Sequence, residues 1–249
     1  MSYSTNTLRA GVVAAVALTS LAACSSSDSL AANGRRSVSL SFAPQGAAAT
    51  ADRVPSGASL SAVPITSNGH TLDLTSVALN ISRVELHTVD KGETETECDD
   101  GHGCGAVAST PLVVTLTPTG AVVTVATALV PPGTYREIEV KVSSVRLVGT
   151  YDAKAFDVVV PVNVKREMEF NPPVTVGGAS DGARNITIAV PLTTWLKNAD
   201  GSLIDPARLA TDESLRASVA SRIKASFRAF RDDNHNNRDD DNDEHEGSR

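Results

Sequence analysis

Between Ser37 and Val190, apolar side chains recur at every second position, in short runs broken by Gly, Pro, Asn and Asp. Extended backbone sends successive side chains to opposite faces, so this spacing gives one apolar and one polar face per run. In Ser37–Phe42, Val38, Leu40 and Phe42 share a side, with serines between them. Residues 43–69 are rich in Ala, Ser, Pro and Gly and read as a long loop. Leu72 and Leu74 then alternate, followed by Val77, Leu79 and Ile81, and by Val84 and Leu86. The parity slips at Ser76 and again near Ser82, which predicts bulges or a bent strand pair.

Leu112–Thr117 and Val122–Ala126 flank a turn at Pro118-Thr119-Gly120, and Pro131-Pro132-Gly133 marks another. Ile138, Val140 and Val142 alternate with Glu139 and Lys141 on the opposite face. Val145–Val148 continues that run, and Gly149–Ala155 reads as a hairpin loop. Val158, Val160, Val162 and Val164 alternate with Asp157, Val159, Pro161 and Asn163. Pro161 has no amide proton for a central ladder and is expected at an edge or a bulge. Met168–Phe170, Val174–Val176 and Ile186–Val190 complete the strand signals, with no internal repeat. Many short strands with no helix between them predict a mainly β fold, an antiparallel β-sandwich over residues 37–190.

The pattern changes after Val190. Pro191–Lys197 reads as one helical turn carrying Trp195, the single tryptophan and a core residue in this reading. Asp205-Pro206 supplies a cap and a first-turn proline, and Thr211 a second helix start. Leu215, Val219, Ile223, Phe227 and Phe230 then form one apolar stripe, opposed by Arg216, Arg222, Lys224 and Arg228. Residues 191–231 are therefore expected to be a helical segment whose amphipathic helix, about 20 residues long, packs on the sandwich.

The N-terminus carries a different signal. A single charge, Arg9, precedes the uncharged run AGVVAAVALTSLAA at 10–23, which rises only about 21 Å as a helix. That is too short for a hydrocarbon core of about 30 Å and suits the apolar region of a signal peptide. The run ends in Leu21-Ala22-Ala23-Cys24, which resembles the lipobox of bacterial lipoproteins. The resemblance implies a lipoprotein signal peptide over residues 1–23, removed so that a lipidated Cys24 becomes the mature N-terminus. Palmitate and related chains on Cys24 would then hold residues 24–36 as a flexible tether to the membrane. Ser25 stands where some Gram-negative bacteria place an inner-membrane retention aspartate, which favours the outer membrane.

The stretch Val77–Leu86, the Pro-Pro-Gly-Thr-Tyr turn at 131–135 and the strand after it resemble a group of uncharacterised bacterial lipoprotein domains. For residues 36–190 that resemblance implies a prealbumin-like or immunoglobulin-like β-sandwich. It carries no catalytic residue.

Loss of residues 1–23 from a chain of 249 leaves 226, and removes one Arg and no acid, so the net charge moves from −7 to −8. An acidic chain without a basic, aromatic-interleaved patch is not suited to nucleic acid. In an oxidising envelope compartment the cysteines divide into Cys24 and a pair, Cys98 and Cys104, in the loop E-C-D-D-G-H-G-C-G. The pair reads first as a disulfide. A metal site from Cys98, His102 and Cys104 with Asp99 or Asp100, or free thiols, are the alternatives.

From Asp232 the chain reads D-D-N-H-N-N-R-D-D-D-N-D-E-H-E. Asp232, Asn234, Asn236, Asp240 and Asp243 fall at positions 1, 3, 5, 9 and 12 of a calcium loop of the EF-hand or dockerin type. Asn237 stands where glycine is usual, and asparagine tolerates left-handed backbone. Asp243 replaces the longer Glu of such loops, and only six residues follow it. Residues 232–249 therefore read first as a disordered, solvated acidic tail, with the calcium loop, or diffuse metal binding assisted by His235 and His245, as the alternatives.

No G-x-S-x-G, H-E-x-x-H, phosphate-binding loop or paired C-x-x-C occurs. His70 and His87 flank strands and read as surface or turn residues. Glu167 and Glu169 share a face if that segment is extended; they read as ordinary exposed strand carboxylates, with acid–base work as the alternative. Tyr135 reads as a packing residue whose hydroxyl bonds nearby backbone. The function expected is a lipid-anchored, non-catalytic cell-envelope module that binds a protein, glycan or ion partner, or contributes to an assembly. A calcium-responsive envelope protein and an unrecognised hydrolase on a β-sandwich are the alternatives.

Overall fold

The computed structural model describes residues 34–45, 64–88, 104–118, 122–177 and 183–240. Cys24, Cys98, His102 and Asp243 lie outside them, so the lipobox, one member of the cysteine pair and the last calcium-loop position fall beyond the described residues. Among the described residues, ten strands form two sheets, with one α-helix. The first sheet orders β10 (Arg228–Arg231), β9 (Arg184–Val190), β1 (Arg36–Pro44) and β6 (Val123–Val130). The second orders β2 (Ile65–Ser67), β3 (His70–Thr88), β7 (Gly133–Tyr151) and β8 (Lys154–Val176), with β4 (Cys104–Ala108) and β5 (Leu112–Leu116) also paired to β3. All pairs are antiparallel except β1 with β9, which run parallel. Among the described residues, no helix is long and apolar enough to cross a membrane.

Three strands are far longer than the sequence signals that announced them. The runs at Leu72–Leu74, Val77–Ile81 and Val84–Leu86 belong to one strand of 19 residues, β3. Its pairing with β7 shifts register between Leu74 and Ser76, around Ile81, and between His87 and Thr88. These irregularities restore the apolar face after each parity slip, so Leu72, Leu74, Val77, Leu79, Ile81, Val84 and Leu86 are all buried. A slip without compensation would turn every later side chain to the wrong face. Pro161 sits in β8, the outermost strand of its sheet, opposite Ser144 and beside a register shift. There its missing amide proton costs no ladder bond.

The hairpin expected over Gly149–Ala155 is tighter than predicted. Tyr151 pairs with Lys154, leaving Asp152 and Ala153 as a two-residue turn with φ of 48° and 62°. Two residues at positive φ match the right-handed twist of the flanking strands. Asp152 secures the turn by accepting the Thr71 amide at 2.9 Å and a hydrogen bond with His70 Nδ1 at 2.7 Å.

Side chains from both sheets enter one apolar cluster, including Phe42 and Ile188 from the first and Leu79, Leu147 and Met168 from the second. Trp195 is fully buried there, its Nε1 donating to Ser226 Oγ at 2.7 Å and its ring meeting the edge of Phe227. Tyr135 is fully buried and donates its hydroxyl to the Pro131 carbonyl at 2.7 Å, as expected.

The C-terminal helix is shorter than its apolar stripe predicts. It runs from Glu213 to Ser226 (α1), capped by Asp212, which accepts the Leu215 amide at 2.9 Å. Val219 and Ile223 are its buried residues. Phe227 turns extended (ψ 138°) and Phe230 lies in β10, so the last part of the stripe is strand. Pairing of β10 with β9 satisfies backbone groups along a sheet edge, which periodicity alone cannot foresee. The turn expected at Pro191–Lys197 is a 3₁₀ turn at Leu192–Thr194, and a second covers Pro206–Ala210 with Asp205 as its cap.

Two predictions follow from the β3–β7 pair. A Cβ on Gly149 would stand 2.0 Å from the Asp73 carbonyl oxygen, which belongs to backbone and cannot swing aside. Gly149→Ala is expected to destabilise the fold by roughly 1–3 kcal/mol or more, read by urea unfolding. Asp152 is held below its ordinary value of 3.8, first by the Thr71 amide and then by His70. A depressed carboxyl contributes stability that is complete above its unfolded pKa and fades as pH falls through the folded one. The loss of stability between neutral and strongly acidic pH should therefore be smaller in Asp152→Asn than in the wild type.

Candidate functional site

The C-terminal loop is docked on the first sheet by a run of buried polar groups. Ser39 and Ser41 on β1 donate to Asn185 Oδ1 on β9, at 2.8 and 3.0 Å. Asn185 Nδ2 donates to Thr187 Oγ1 and to the Asp232 carbonyl, and Thr187 donates to Asp232 Oδ2 at 2.9 Å. Ser41, Asn185, Thr187 and Asp232 are buried, so each bond satisfies a group that water cannot reach. Asp233 adds a second fastening by accepting the Asn185 amide and an ion pair from Arg184 at 2.7 Å.

Residues 232–240 then turn around Asp232. Its Oδ1 accepts the Asn236 amide at 2.9 Å and its Oδ2 the Asn237 amide at 3.2 Å. Asn237 has φ of 63°, the left-handed conformation that the sixth position of a calcium loop requires. Asn234 Oδ1 accepts the Asn236 amide, and its Nδ2 donates to Asp240 Oδ1 at 2.7 Å. Asp240 Oδ2 in turn accepts the Asp233 amide at 2.6 Å. Four of the five predicted ligand residues, Asp232, Asn234, Asn236 and Asp240, are thus wound into one turn. Burial pushes the Asp232 carboxyl above its ordinary 3.8, against the Thr187 hydroxyl and the Asn237 and Asn236 amides, with Asp240 adding repulsion. A bound cation would offset both the desolvation and that repulsion.

A second cluster lies on the outer face of the β3–β7–β8 sheet, and sequence reasoning reached only its margin. Register sets three rows across the strands: Arg83, Lys141 and Lys165, then Glu85, Glu139 and Glu167, then His87, Glu137 and Glu169. Like charges stand directly opposite one another, so attraction has to run between rows. Lys165 Nζ lies 2.9 Å from Glu139 and 3.0 Å from Glu167, and Arg83 lies 2.6 Å from Glu85. Lys141 and His87 Nε2 each approach Glu139 at 3.5 Å. Glu85 and Glu139 are only 3% exposed. The hydrogen bonds to Glu139 and Glu167 hold the Lys165 ammonium well above its ordinary value of 10.5.

Glu167 and Glu169 are exposed on β8, as ordinary strand carboxylates should be, with Glu167 bound to Lys165. His87 is not a turn residue. It lies within β3 with a side chain 15% exposed, because β4 and β7 flank it and the strand continues to Thr88. His70 is half exposed at the Asp152 hairpin, stacked on Tyr151, as a surface residue should be. His235 is exposed in the C-terminal loop, and His245 is outside the described residues. Glu139 and Lys141 had been legible only as the polar face of their strand. No protein-family model, curated protein or solved structure matches the chain.

Proposed function

We propose that this chain is a lipid-anchored, non-catalytic module of the bacterial cell envelope whose C-terminal loop takes up calcium. The observation that carries the calcium reading is the fold of the loop around Asp232. The first-position carboxylate receives the amides of the fifth and sixth positions, Asn236 and Asn237, and the sixth residue is left-handed. Oxygen-bearing side chains at the third and ninth positions, Asn234 and Asp240, meet beside it. Hard oxygen donors around a preformed turn suit a hard divalent cation.

The β body is read as a two-sheet sandwich, a reading supported by the apolar cluster that both sheets feed. Anchoring rests on the leader and Leu21-Ala22-Ala23-Cys24, and Ser25 favours the outer membrane. A rigid β body on a lipid tether, with a docked cation loop, serves recognition of an envelope protein or glycan better than chemistry.

Calorimetry of the full chain with calcium is expected to show one site, lost in Asp240→Ala and in Asp232→Ala. Equal heats from wild type and Asp240→Ala would remove the calcium reading. Cys24→Ser is expected to abolish palmitate labelling and release the protein from membranes. Labelling that survives the substitution would refute the anchor.

A further inference from the structure

We propose that Glu85, His87 and Glu139 form a site for one divalent transition ion of the zinc type, separate from the C-terminal loop. One ligand atom from each residue lies within 4.8 Å of the other two. His87 Nε2 and Glu139 Oε2 are 3.5 Å apart, close to the about 3.3 Å that separates two ligands on one tetrahedral zinc ion. Small side-chain rotations bring in Glu85, whose Cα stands directly across from that of Glu139. An imidazole nitrogen beside two carboxylates suits zinc and its neighbours and discriminates against calcium, which prefers oxygen alone.

Two further observations point to a cation there. Among the described residues, Glu85 Oε1 is buried and accepts no aligned hydrogen bond, its one contact being an ion pair. Arg83 Nη2 touches it at 2.6 Å, but off the hydrogen-bond axis. The three rows also carry five carboxylates against three permanent cations, Arg83, Lys141 and Lys165, and the excess falls at the His87 end. Lys165 serves as counter-ion to Glu139 in the ion-free protein. Its side chain is 47% exposed and already shared with Glu167, so it can yield Glu139 to an ion and remain paired. Three protein ligands leave a position for solvent or an exogenous donor.

The test titrates cobalt(II) into the full chain in excess calcium, which keeps the C-terminal loop occupied. One equivalent is expected to bind with visible bands of nitrogen and oxygen ligation, and zinc should displace it. His87→Ala and Glu139→Gln should each weaken binding by roughly tenfold or more. Lys165→Met removes the competing ammonium from an exposed position and should strengthen binding without disturbing the fold, as checked by circular dichroism. Affinity unchanged by Lys165→Met, an absence of binding, or a spectrum dominated by thiolate charge transfer would each overturn the proposal. None of these outcomes bears on calcium heats at Asp240, so this site and the loop stand or fall separately.

Discussion

The pairing of β3 with β7 is the constraint on which the rest of the structure depends. It runs from Leu72 opposite Tyr151 to Thr88 opposite Tyr135, and β2, β4, β5 and β8 all attach to one or other of these strands. The register breaks along it return Leu, Ile and Val to the core after each slip. The close approach at Gly149 and the tight Asp152–Ala153 turn fix one end of this ladder.

The same register makes the outer face chemically unusual. A row of carboxylates between a row of cations and a row containing histidine is not an arrangement that burial favours by itself. Each charge taken out of water costs several kcal/mol unless it is paired with good geometry. Glu139, with Lys165, Lys141 and His87 around it, meets that condition better than Glu85, which among the described residues has Arg83 alone at ion-pair distance. The asymmetry between these two carboxylates is the feature on which the proposed cation site rests.

In the first sheet, the parallel contact of β1 with β9 brings together serines, Asn185 and Thr187 far apart in the chain. These groups form a buried polar seam that ends on Asp232. Through it, a loop rich in acids and asparagines becomes part of the body of the protein. The route of the chain from α1 into β10 delivers that loop, because pairing with β9 ends at Arg231, one residue before Asp232.

The alternating runs, the parity slips at Ser76 and Ser82, the edge position of Pro161, the burial of Trp195 and the spacing of Asp232, Asn234, Asn236 and Asp240 were all legible in the sequence. Each depends on residues close together in the chain, where backbone geometry alone dictates which side chains share a face. The merging of three runs into β3, the passage of Phe227 and Phe230 out of the helix, and the parallel seat of β9 beside β1 depend on hydrogen bonds between distant segments. The grouping of Glu85, His87 and Glu139 is of that kind as well. Two of its members stand two residues apart, but the third arrives on another strand through a register that local periodicity leaves open. Sequence by itself determined which faces would be greasy and where oxygen-bearing side chains would recur at Asp232, Asn234, Asn236 and Asp240. Only the tertiary structure decided which charges would meet, because cross-strand partners are chosen by long-range pairing.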